Sequence, residues 1–84
     1  MENLEVIRCL EVIRCRCNEV LREIRMKNIS RKQRILEVEK VINDYKDFMT
    51  ELYCFEMITH TTLVFEYRYY NSIEIKYLDI IRQK

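Results

Sequence analysis

The sequence predicts an α+β domain in which an N-terminal antiparallel helical hairpin, about 3–27 and 31–51, packs on a C-terminal two- or three-stranded antiparallel sheet, about 53–59, 63–70 and 73–81. Three observations carry that expectation. Apolar residues recur at heptad spacing twice in the first half of the chain, a polar break separates the two stripes, and aromatic and β-branched residues gather in the second half. At 84 residues the chain reads as one domain, 1–84, with a core thin enough that a partner would add appreciably to its stability.

In the first element, Val6, Leu10, Ile13, Cys17, Val20 and Ile24 follow one another at steps of four and three residues, with Cys9 and Leu21 alongside. This is the seam of an amphipathic helix. The segment Leu4 to Cys9 is repeated as Leu10 to Cys15. Six residues advance a helix by about 600°, so the copies face different directions and build no repeated surface. The duplication does leave Leu4, Val12, Cys15 and Met26 on a second apolar ridge, where a helix buried on one face would carry polar residues. That ridge is a candidate surface for a protein partner or a second copy of the chain.

The break falls at Lys27-Asn28-Ile29-Ser30. Asn28 is expected to take a left-handed conformation at the end of the first helix, and Ser30 with Gln33 forms a capping-box pattern that starts the second at Arg31. The second stripe is Ile35, Val38, Ile42, Tyr45, Met49 and Leu52, with Val41 and Phe48 beside it and Glu37, Lys40, Asp44 and Asp47 opposite. Two seams joined by a short link make an antiparallel helical hairpin.

Seven of the nine aromatic residues lie from Tyr53 onward, where β-branched and aromatic side chains alternate with polar ones. A three-residue loop Tyr70-Asn71-Ser72 would set Tyr69 against Ile73, Tyr67 against Ile75 and Phe65 against Tyr77 on one face, with Arg68 against Glu74 and Glu66 against Lys76 on the other. A two-residue loop mixes the faces. The segment 53–59 either pairs as a third strand, with Glu56 unfavourably opposite Glu66, or extends the second helix.

The chain contains no glycine, proline, tryptophan or alanine. Average usage would supply about six glycines and about four prolines. A helical fold has every reason to use alanine, the best helix former, so structure does not explain its absence. What the four residues share is GC-rich codons. The composition therefore points to an AT-rich gene, as in a small virus, phage or mobile element. Glycine's absence also leaves turns to Asn28, Ser30, Asn71 and Ser72, and it removes the Gly-rich loops that cradle phosphates.

The net charge is only +1, yet the segment from Arg22 to Arg34 holds Arg22, Arg25, Lys27, Arg31, Lys32 and Arg34 against one acid, Glu23. The molecule is thus polarised, with its basic pole at the tip of the helical hairpin. Arg31, Lys32 and Arg34 crowd a helix N-terminus that disfavours cations, and an anion there, held also by Ser30, would relieve the conflict. The site reads as an anion-binding or partner-binding tip, or as a solvated charged turn. Tyr70, near the expected strand loop, is the aromatic placed for contact, whereas Tyr67 and Tyr69 belong to the core face.

Catalysis and metal binding find little support. Cys15 and Cys17 lie about 200° apart on a helix and cannot grip one ion. Cys9 and Cys17 read as small core residues, and Cys15 as the thiol open to alkylation. His60 falls in an expected turn at Thr59 to Thr62, and the paired carboxylates Glu37 and Glu39, or Asp44 and Asp47, lie on a polar helix face. No cofactor, metal or small-molecule substrate is expected. Neither an export signal nor an apolar run long enough for a membrane span is legible, which points to a cytoplasmic protein, in the host cytoplasm if viral, with no membrane partner. The functional expectation is a non-enzymatic interaction protein that binds a protein partner or itself. The alternative is a nucleic-acid-binding regulator that contacts phosphates through the Arg22 to Arg34 segment.

Overall fold

The computed structural model describes residues 4–83 and is built from three helices: α1 (Leu4–Met26), α2 (Arg31–Cys54) and α3 (His60–Arg82). The expected helical hairpin is present. The expected sheet is not: among the described residues there is no strand, and the segments 63–70 and 73–81 are one continuous helix. The third candidate strand, 53–59, resolves into the end of α2, a turn, and the cap of α3.

The α+β reading fails because β-propensity measures fit to a pleated, half-buried surface and yields to packing. Leu63, Tyr67, Tyr70, Ile73, Tyr77 and Ile81 recur at three- and four-residue steps, and all of them are buried or packed against the core. The helical period was there beneath the alternation. A two-stranded hairpin is marginal in water, whereas a third helix closes the open face of the first two.

Each helix boundary has a local cause. The Ser30 hydroxyl accepts from the Gln33 N–H at 3.1 Å, and Thr59 does the same for Thr62 at 3.2 Å. The end of α2 is a Schellman turn: the Met57 N–H reaches the Leu52 carbonyl at 2.9 Å and the Glu56 N–H reaches that of Tyr53 at 3.0 Å. Glu56 takes the left-handed conformation at φ 60°, where glycine is usual. Among the described residues it alone has a positive φ, so Asn28 does not play that part.

The helices run up, down and up, forming a rod of 43 × 17 × 17 Å. Its core joins Leu10, Cys17, Leu21 and Ile24 of α1 to Val38, Ile42 and Met49 of α2 and to Tyr70, Tyr77, Leu78 and Ile81 of α3, with Ile58 closing one end. The two seams read from the sequence are the faces that pack. α2 and α3 share the most extensive interface and α1 packs chiefly on α2. A polar cluster, in which Arg14 binds Glu66 and Asn18 binds Tyr69, ties α1 to α3.

Candidate functional site

Two surfaces gather the residues singled out by sequence. The first is an apolar groove of about 590 Å³ between the N-terminal half of α1 and the C-terminal half of α2. Cys9, Val12 and Ile13 form one wall with the carboxylate-bearing Glu5 at its N-terminal end, Phe48 and Leu52 form the other, and Met57 and Ile58 of the connecting turn close the end. Val12 is 68% exposed and Phe48 40%, so the groove is open to solvent. Its rims are charged. Arg8 and Arg16, both exposed, lie one turn either side of Val12 on α1. On α2, the exposed Asp44 and Glu51 lie one turn either side of Phe48.

Of the ridge residues expected at an interface, Leu4, Val12, Cys15 and Met26 are all exposed, Met26 at 83%. Only Val12 lines the groove. Cys9 is corrected: it is exposed on the groove wall and not in the core, which Cys17 does enter. Burial pushes the Cys17 thiol up to about 11, leaving Cys9, Cys15 and Cys54 as the exposed thiols. Phe48 and Met57 were missed. Phe48 read as part of the core stripe, and Met57 as a strand residue.

The second surface is the basic tip. The end of α1, the start of α2 and the end of α3 meet there, and Arg25, Arg31 and Arg34 line a cleft of about 360 Å³ floored by Ile80 and Ile81. Arg34 spends one guanidinium nitrogen on the Lys27 carbonyl at 2.7 Å, which caps the end of α1, while its Nε is buried without a hydrogen-bond partner among the described residues. Lys27 is not free for a ligand, since its ammonium pairs with Glu37 at 2.8 Å. Ser30 is occupied as the α2 cap, and Arg22 and Lys32 are exposed but do not line the cleft. The structure therefore assembles three of the seven tip residues into one concave site.

No protein-family model, curated protein or solved structure matches the chain. Function must be read from these surfaces.

Other candidate chemistry disperses. Among the described residues no three His, Cys, Asp or Glu side chains are grouped to hold a metal ion, and no helix is long and apolar enough to cross a membrane. His60 opens α3 with its ring edge-on to Tyr53 at 5.8 Å, so it is not in a free turn. Tyr70 is fully buried, the opposite of the exposed contact residue expected, and Ser72 and Asn71 lie within α3. Tyr67 and Tyr69 are half-buried against the core, where each hydroxyl finds a partner, in Thr50 and Asn18 respectively.

Proposed function

We propose that this chain is a small non-enzymatic interaction protein whose α1–α2 groove is covered by another polypeptide in the working state. One observation carries the reading: Val12 and Phe48 face each other across an open apolar groove although the core has buried equivalent side chains elsewhere. Contiguous apolar surface of this kind on a small domain marks a place where protein binds. A groove between two parallel ridges suits an amphipathic helix, with charged rims to fix its register. The glycine- and alanine-free composition supports an AT-rich gene of viral, phage or mobile-element type as the source of such a module.

The test uses Cys9 as a reporter on the groove wall. Helical peptides selected for binding to the protein and counter-selected against its Val12→Asp variant should slow alkylation of Cys9 by a neutral maleimide at least about tenfold and leave Cys54 unaffected. Peptides that bind Val12→Asp equally well and leave Cys9 reactive would refute the reading.

A second reading rests on the tip cleft. Three guanidiniums line it and no acid does, an arrangement that suits phosphate groups of a nucleic acid or of a modified protein. Binding to single-stranded or duplex DNA or RNA should then weaken steeply with salt and weaken further in Arg25→Gln and Arg31→Gln. Absence of any mobility shift at low salt removes this reading.

A further inference from the structure

We propose that the polypeptide covering the groove is a second copy of this chain, related by a two-fold axis parallel to the bundle. The inference rests on the groove being a docking surface, and it is the pattern of rim charge that identifies the occupant. Along α1 the exposed order is Glu5, Arg8, Val12, Arg16; along α2 and just past its end it is Asp44, Phe48, Glu51, Phe55, so that Glu5, which itself lines the groove, falls level with the uncharged Phe55. The two helices are antiparallel and Val12 and Phe48 line the same groove, so Arg8 lies level with Glu51 and Arg16 level with Asp44, each about 4.5–6 Å along the axis from the centre.

A two-fold along the bundle keeps every axial level and exchanges left for right. It lays α1 of one copy over α2 of the other, so Val12 meets Phe48, Arg16 meets Asp44 and Arg8 meets Glu51, each pair formed twice. An axis across the bundle instead lays α1 on α1 and α2 on α2. That arrangement opposes Arg8 to Arg16 and Asp44 to Glu51, like charges in both cases. The rims thus favour one of the two symmetric pairings and oppose the other. Only one of the rim groups already has an ion-pair partner among the described residues: Arg16 lies 4.0 Å from Glu19, both well exposed. An exposed pair of that kind is weak and readily exchanged.

Sedimentation velocity over about 1–100 µM decides the matter, with circular dichroism confirming that each variant stays helical. The wild type should form a dimer. Arg16→Glu should weaken dimerisation at least about tenfold, because two attractive contacts become repulsive, and adding Asp44→Lys should restore it to within about threefold. A wild type that stays monomeric while the groove still selects peptides overturns the second copy and leaves the docking surface standing. A dimer indifferent to Arg16→Glu overturns the register. One that also tolerates Val12→Asp and leaves Cys9 reactive overturns both readings.

Discussion

Arg14 of α1 grips the carboxylate of Glu66 of α3 with two nitrogens, Nε reaching Oε1 at 3.0 Å and Nη2 reaching Oε2, and the carboxylate is only 1% exposed. Hydrogen bonding to that carboxylate raises the Arg14 pKa further above its already high value, against the opposing effect of burial. The guanidinium also lies over the Tyr69 ring, 5.1 Å from its centroid. Removing Arg14 strands a buried charge. Arg14→Ala is therefore expected to cost about 3 kcal/mol, enough to threaten a domain this small, while Arg14→Met with Glu66→Leu should be near neutral. Urea unfolding of the three proteins checks the ordering.

Tyr70 is fully buried, stacked on Tyr45 at 5.8 Å and edge-on to Tyr69 at 5.3 Å, but its hydroxyl has no hydrogen-bond partner among the described residues. A buried hydroxyl without a partner lowers stability, whereas the ring is held by its neighbours. Tyr70→Phe should raise stability by about 1 kcal/mol, read as a higher urea midpoint with an unchanged slope.

Glu56 occupies the left-handed position of the Schellman turn, where a side chain beyond Cα adds strain. Glu56→Gly should therefore raise stability by about 1 kcal/mol despite the greater entropy of its unfolded chain, and Asn should give a smaller gain. Thermal melts of the two variants test this. A loss of stability in Glu56→Gly would show that the strain is absorbed elsewhere.

Burial raises the Cys17 thiol from its usual 9.0 to about 11 and pushes the Tyr70 phenol well above its usual 10.0. Both groups hold their protons more tightly folded than unfolded. The stability they contribute is complete below the unfolded values and is lost as pH rises, from 9 toward about 11 for Cys17 and higher still for Tyr70. Urea unfolding at pH 8 and pH 11 should differ by about 3–4 kcal/mol, and Cys17→Val should remove more than half of that loss.

The failure of the sheet reading has a particular cause. The hairpin register pairs Glu66 with Lys76 on a solvent-facing side and sets Tyr70 in the loop. Each instead faces the bundle interior, because α3 must meet α1 and α2 together. The charge match between Arg68 and Glu74 that favoured a hairpin is a coincidence of spacing, since both lie on one helix. One cue was legible and unused: Thr59 three residues before Thr62 is a helix cap of the same kind as Ser30 before Gln33.

By itself, the sequence determined the first two helices, their packing stripes, the Ser30 cap and the basic pole, because helical periodicity and capping are local properties carried by side chains a few residues apart. Tertiary structure decided the rest. Whether 63–81 is strand or helix, whether Glu66 finds a counter-charge, and which three of the tip's cations share a cleft all depend on partners far along the chain. So does the groove at Val12 and Phe48: Val12 stands on the ridge away from the α1 seam and Phe48 beside that of α2, and only the packing of α1 on α2 brings the two to one groove.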